Sequence, residues 1–147
     1  MNATTEECIT VCNSLLRGEL SAVETYDQAL EKYAATPAAG ELGRIRSQHS
    51  TAAARLAANV REMGGVPETG SGVWGTFATT VQGTANLFGE GSALQSLKQG
   101  EEKGRRDYED ALENDEVMED CKMMIRTELL PPIHSHISIL ETLGQHS

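Results

Sequence analysis

Apolar residues recur every three or four positions along most of the chain, a spacing typical of amphipathic α-helices that pack in a bundle. The pattern predicts four long helices, over about residues 4–35, 39–63, 92–113 and 116–143. Pro37 and Gly40 interrupt the pattern between the first two helices, and Gly64-Gly65 followed by Pro67 ends the second. Because the first interruption is short, we expect the first two helices to be antiparallel neighbours.

Residues 64–91 differ from the rest of the chain, since Gly, Ser and Thr replace the regular apolar spacing. A disordered linker is one interpretation of this composition. Trp74, Phe77 and Val81, however, stand at i, i+3 and i+7, which favours a short amphipathic helix packed on the bundle. The sequence therefore predicts one all-α domain over residues 1–147, a four-helix bundle of two hairpins joined by a long crossover.

The first and third predicted helices contain the same motif. Residues 18–31 read GELSAVETYDQALE and residues 100–113 read GEEKGRRDYEDALE. Both begin with Gly-Glu, place a Tyr seven residues after the Glu and continue to Ala-Leu-Glu. This repeat indicates an internal duplication in which the two hairpins pack about a pseudo-two-fold axis.

One polar side chain interrupts the apolar stripe of each helix. These side chains are Glu19, His49, Glu101 and His136. Each lies near the middle of its helix, so all four are expected in one layer of the core. A lone buried carboxylate is costly, whereas two Glu and two His around a cation compensate one another, and this donor set suits iron, manganese or zinc. We therefore predict these four residues as ligands of one divalent metal ion.

Tyr26 and Tyr108 support this layer, because they lie two helical turns beyond Glu19 and Glu101 on the same faces. A buried hydroxyl needs a partner, and carboxylates on neighbouring helices are the expected acceptors. The tyrosines would then orient the metal ligands. A metal-free alternative stays open, in which the Glu-His layer is a hydrogen-bonded cluster that fixes the register of the helices.

Other acidic and histidine side chains are weaker candidates. Glu24 points away from the Glu19 face, and Glu102 is one residue off the apolar stripe. His134 lies opposite His136 on an ideal helix, and His146 is near the end of the sequence. Pro131-Pro132 removes backbone donors inside the fourth helix and predicts a kink about one turn before His136.

Composition and charge indicate the class of fold and exclude some classes of binding partner. Only 4% of the residues are aromatic, which fits helix-on-helix packing better than a β-sandwich. A formal charge of -10 disfavours nucleic acid and anionic membrane surfaces as partners. The acidic N-terminus and the lack of a long apolar run predict a cytoplasmic protein without a membrane span.

The three cysteines form a sparse and odd set, so they indicate no disulfide framework. Cys8 and Cys12 are one helical turn apart, which would allow chelation. Two buried structural thiols are the favoured interpretation. The role of Cys121 is left open.

Several stretches resemble the ferritin-like superfamily. Glu19 to Tyr26 follows the pattern Glu-x-x-Ala-x-x-x-Tyr of the first ligand helix in bacterioferritins and rubrerythrins, and residues 136–143 are similar to the bacterioferritin stretch after the last ligand His. The whole chain resembles a bacterial family of uncharacterised ferritin-like bundles through its Gly64-Gly65-Val66-Pro67, Gly100-Glu101 and Tyr108-to-Leu112 motifs. The resemblance implies a ferritin-like fold and a homo-oligomer, dimeric or larger.

The chain departs from this superfamily at the residues that would bind a second metal ion. Its di-iron members use the pattern Glu-x-x-His on helices 2 and 4. On helix 2, the resemblance puts His49 in the Glu position and Ala52 in the His position. On helix 4, it puts Ile133 in the Glu position and His136 in the His position. Both bridging carboxylates are therefore replaced, and two close cations would repel each other. We predict a metal-binding protein with one iron, zinc or manganese ion rather than a redox enzyme with a complete di-iron centre, with a metal-free structural module and a degenerate di-iron oxidase as alternatives.

Overall fold

The computed structural model describes residues 3–70 and 90–145, and these residues form an all-α four-helix bundle. Helix α1 (Ala3–Tyr33) packs chiefly on α2 (Ala38–Glu62). Helix α3 (Glu90–Glu113) packs chiefly on a fourth helix made of α4 (Glu119–Met124), a π-helical turn (Ile125–Leu129) and α5 (Leu130–Gln145). The predicted hairpins are confirmed, whereas the predicted crossover helix with Trp74, Phe77 and Val81 lies outside the described residues.

The fourth helix changes type where the sequence predicts a kink. Pro131 and Pro132 lack N–H groups, so the carbonyls of Thr127 and Glu128 lose their usual donors. The structure accommodates this change in a π-helical turn at Ile125–Leu129, one turn earlier than predicted, and the N–H of Leu130 donates to the carbonyl of Ile125. Single π-turns often occur beside functional sites.

The fourth helix also begins at Glu119 rather than near residue 116. The side chain of Asn114 accepts a hydrogen bond from the backbone N–H of Glu116 at 2.8 Å, which holds a turn after α3. No helix within residues 3–70 and 90–145 is both long and apolar enough to cross a membrane.

Helix α2 ends at a close contact with α1. Gly64 has φ +88°, a conformation that glycine adopts without strain, and the N–H of Gly65 donates to the carbonyl of Val60 at 2.9 Å. Gly65 then lies directly against Ile9. The Gly-Gly pair therefore ends the helix and lets the chain pass close to α1.

Replacing Gly65 by alanine is expected to lower the free energy of unfolding by about 1–3 kcal/mol. The added Cβ atom would lie 2.8 Å from Cγ2 of Ile9 and 3.1 Å from Cγ1 of Val60, so α1 or α2 must shift. Gly43→Ala is the matched control, because nothing lies within 4 Å of its Cβ position and alanine favours the helix. Urea unfolding would measure both variants, and equal stabilities would contradict close packing at Gly65.

The core consists of two apolar clusters, one toward each end of the bundle. One cluster contains Leu16, Leu56, Val60, Ile125 and Leu129, and the other contains Tyr33, Leu42, Ile45, Leu97 and Leu140. Along every helix, the polar residue that interrupts the apolar stripe falls between the two clusters. The bundle therefore has a polar layer enclosed by apolar packing.

Candidate metal centre

The four polar residues of the predicted layer are buried and in contact. Nδ1 of His49 lies 2.5 Å from Oε1 of Glu19, and Nε2 of the same ring lies 2.7 Å from Oε2 of Glu101. Nδ1 of His136 lies 3.3 Å from Oε1 of Glu101. Glu101, only 1% exposed, is therefore the centre of the layer and meets a ring nitrogen of each histidine.

The two tyrosines donate to carboxylates across the bundle. The hydroxyl of Tyr26 on α1 donates to Oε2 of Glu101 on α3 at 2.5 Å. The hydroxyl of Tyr108 on α3 donates to Oε2 of Glu19 on α1 at 2.7 Å. Each copy of the repeated motif thus supplies the hydroxyl for the glutamate of the other copy.

Gln48 is a member of this layer that the sequence analysis missed. Its Oε1 lies 2.6 Å from Nε2 of His136. Since an amide oxygen is an acceptor, Nε2 of His136 carries the proton and donates it. The signal in the sequence is weak, because Gln48 is off the apolar stripe and resembles an ordinary surface residue next to His49.

The charged side chains of the layer shift one another's pKa values. Burial would lower the pKa of His49, but the charges of Glu101 and Glu19 outweigh it and raise that pKa well above its usual range. Burial would raise the pKa of Glu101, but the charge of His49 and hydrogen bonds from both histidines lower it to about 2. Without a metal, an imidazolium therefore lies between two carboxyl groups.

Burial, followed by the charge of the glutamate it bonds, raises the pKa of each tyrosine well above its usual range. Tyr26 and Tyr108 are consequently neutral hydrogen-bond donors. They hold the two carboxylates without adding charge to the layer.

Three of these side chains are close enough to bind one ion. His49, Glu101 and His136 each offer a ligand atom, and the three atoms lie within 4.8 Å of one another. Glu19 instead faces the opposite nitrogen of His49. This buried group of two imidazoles and one carboxylate can hold a metal ion.

A cavity of about 310 Å³ lies between α2 and the fourth helix, and it is lined by two of the three donors, His49 and His136, and by Glu19. Ala52 and Ile133 also line it. Small or apolar side chains thus leave open space next to the polar layer. A smaller cavity of about 20 Å³, lined by Gly18 and Gly100 among others, lies near Glu19 and Glu101.

A family model described as a domain of unknown function, DUF2383, matches residues 7–114, which is more than half of the chain. The chain belongs to the DUF2383 family. No curated protein and no solved structure matches it. The DUF2383 match includes Glu19, His49 and Glu101 and ends before His136. It names no ferritin-like relative, so the resemblance to bacterioferritins and rubrerythrins stays a prediction.

The weaker candidates lie apart from the centre of this DUF2383 bundle. His134 is exposed and Glu102 is half-buried. Glu128 lines the large cavity, but its Oε1 pairs with Nε of Arg55 at 3.1 Å on a partly exposed surface. Glu24 is exposed, and His146 lies outside the described residues. Among the residues that the structure describes, no second set of carboxylates flanks the three donors.

Proposed function

We propose that this DUF2383 protein binds one divalent transition-metal ion in the core of its bundle, with His49, Glu101 and His136 as ligands. The observation that carries the proposal is the convergence of three buried donors within 4.8 Å, next to open space. An imidazole pair with a carboxylate suits iron, manganese or zinc. Three protein ligands leave coordination positions for water or another small ligand from the cavity.

The hydrogen-bond directions support this assignment. Nε2 of His136 donates to Gln48, and Nδ1 of His49 faces Glu19. Both remaining ring nitrogens are directed at Glu101. Each of these nitrogens can donate a proton to Glu101 or, once deprotonated, offer its lone pair to a metal ion that the carboxylate also binds.

Glu19 has a different role in this proposal from the predicted one. As the partner of Nδ1 of His49, it fixes the tautomer and the orientation of the ring while Nε2 binds the metal. The two carboxylates of Glu19 and Glu101 also balance one divalent charge once His49 releases its extra proton. The sequence predicts four ligands, including Glu19, whereas we propose three ligands without it.

A two-metal oxidase has less support. The positions that would supply bridging carboxylates hold His49 and Ile133, and Ile133 lines the cavity as an apolar side chain. The carboxylates that line the cavity are Glu19 and Glu128. Both already have partners, so neither is free to bridge two cations and offset their repulsion. The proposed protein therefore binds a metal rather than using two irons with O₂.

Metal content tests the proposal. Wild-type protein exposed separately to Mn(II), Fe(II) and Zn(II) and then desalted is expected to retain about one equivalent of at least one ion, and His136→Ala is expected to lose it. His134→Ala is the matched control, because His134 is exposed on the same helix and away from the layer. Mass spectrometry gives the content, and the electron paramagnetic resonance of Mn(II) reports nitrogen ligands. Equal retention in both variants would contradict the proposed ligands.

A second candidate function follows from the completeness of the hydrogen bonds. Among the described residues, the buried side-chain atom without a partner is Oε1 of Gln28, which is outside the layer. A fully paired layer can serve as a structural element that fixes helix register. In that case wild type retains no metal, chelators leave the melting temperature unchanged, and the loss of stability in layer variants is independent of added ions.

A further inference from the structure

The three cysteines converge at a second place in the bundle, away from the polar layer. Cys8 and Cys12 on α1 and Cys121 on α4 are at most 2% exposed, although 109 residues separate Cys12 from Cys121. Sγ of Cys121 lies 3.1 Å from Sγ of Cys8 and 4.0 Å from Sγ of Cys12. All three sulphur atoms lie within 4.8 Å of one another.

Two N–H groups are directed at this sulphur cluster. Nδ2 of Asn59 on α2 donates to Sγ of Cys121 at 3.2 Å and to Sγ of Cys12 at 3.5 Å. The backbone of Met118 hydrogen-bonds Cys8, which opposes the rise in the pKa of Cys8 caused by burial. Each sulphur therefore accepts an N–H bond, and outer-shell bonds of this kind orient the ligands of a metal site.

We propose that Cys8, Cys12 and Cys121 bind one soft cation, Cu(I) or Zn(II), through three thiolates. Among the monovalent and divalent metal ions of the cell, thiolate ligands preferentially bind Cu(I) and Zn(II). For a metal–sulphur distance of about 2.3 Å, three sulphurs around one ion lie about 4 Å apart. The separation of Cys12 and Cys121 already has this value, and Cys8 needs to move by less than about 1 Å to reach it.

Three thiolates complete the trigonal coordination of Cu(I), whereas Zn(II) needs a fourth ligand. The nearest further polar group is the amide of Asn59, which already donates to two sulphurs and is a poor zinc ligand. We therefore expect Cu(I) to bind more tightly than Zn(II). This site shares no ligand with the Glu-His layer, so either site can exist without the other.

Binding involves no change of oxidation state. Each sulphur that is still a thiol loses its S–H proton to the solvent and forms a bond to the metal. A disulfide would use only two of the three thiols, and the geometry brings all three together.

The test uses the full-length reduced protein under anaerobic conditions. Cd(II), a spectroscopic probe for thiolate sites, is titrated first, and the intensity of its thiolate-to-metal absorption counts the bound sulphurs in the wild type. We expect one equivalent with three thiolates, and a Cu(I) titration against a Cu(I)-specific chelator is expected to give one tight equivalent. Zn(II) is expected to displace neither ion.

Variants separate a designed site from adventitious thiol binding. Cys12→Ala is expected to abolish tight Cu(I) binding, whereas His136→Ala, which changes only the polar layer, is expected to retain it. Asn59→Ala keeps all three ligands and is expected to weaken Cu(I) binding about 10-fold to 100-fold. An intensity of two thiolates or fewer in wild type, or unchanged Cu(I) binding in Cys12→Ala, would overturn the proposal. So would a count of one free thiol in protein isolated without reductant, which would indicate a disulfide.

Discussion

Replacing Glu101 by alanine is expected to lower the free energy of unfolding of the metal-free protein by about 3–5 kcal/mol. The substitution removes the acceptor of Tyr26 at 2.5 Å and of His49 at 2.7 Å, and both groups stay buried. A buried charge without its partner is among the largest single-site costs in proteins. Urea denaturation monitored by circular dichroism, in the presence of a chelator, measures the change.

Glu102→Ala is the matched control for this experiment. Glu102 is the adjacent residue on α3, has the same chemistry and is half-buried rather than buried. Its loss is expected to change the free energy of unfolding by less than about 0.5 kcal/mol. Similar losses in the two variants would mean that Glu101 does not centre a buried network, which would remove the basis of both candidate functions.

The acid stability of the metal-free protein is expected to depend strongly on Glu101. Its pKa is about 2 in the folded protein against an ordinary value of 4.5, because His49 and His136 stabilise the carboxylate. A lowered pKa contributes stability that is present above pH 4.5 and is lost as the pH falls toward 2. This loss is on the order of 3 kcal/mol over that range.

The contribution of His49 to stability changes with pH in the opposite direction. The raised pKa of His49 contributes stability that is fully present below about pH 6.5 and is lost as the pH rises through the folded value. Both shifts describe one ion pair, so their contributions are not added.

Glu101→Gln provides the comparison for the pH profile, because glutamine keeps the shape of the side chain and does not titrate. Denaturant unfolding from pH 2 to 6 is expected to show a steeper loss of stability toward acid in wild type than in Glu101→Gln. Parallel profiles would show that other carboxylates, and not Glu101, cause acid unfolding.

The helices could be predicted from the sequence because apolar spacing determines which face of each helix is buried. Leu42, Ile45, His49 and Leu56 are buried in α2 as the stripe requires. Ala53 and Val60 are buried as well, whereas Ala52 beside Ala53 is only partly buried. Residues at the edge of a helix face differ little in spacing, and only the packing of neighbouring helices decides between them.

The place of the two Glu and two His residues in the polar layer was also predictable, because Glu and His are rare on the buried stripe of a helix, whereas that of Gln48 was not. The partners within the layer were not predictable. That Glu19 faces Nδ1 of His49, and that Gln48 accepts from His136, depends on side-chain directions across helices. Sequence spacing describes one helix at a time and contains no information about these directions.

The approach of Cys121 to the other two cysteines could not be predicted from the sequence either. Cys8 and Cys12 share a helix face by their spacing, so their proximity follows from the sequence. The approach of Cys121 depends on where α4 begins, and this start differs from the prediction because Asn114 holds an additional turn. A displacement of a few residues at the start of a helix turns each side chain to a different face.

The reciprocal tyrosine bonds have a consequence for how the molecule unfolds and how it arose. The carboxylate of Glu19 depends on Tyr108 of the other hairpin, and the carboxylate of Glu101 depends on Tyr26. Separating the hairpins would break both tyrosine bonds and the bond between Glu101 and His49, so we expect the halves to melt together in one cooperative transition. The same exchange would satisfy two identical hairpins in a symmetric pair, and gene fusion of such an ancestral dimer would preserve every one of these bonds.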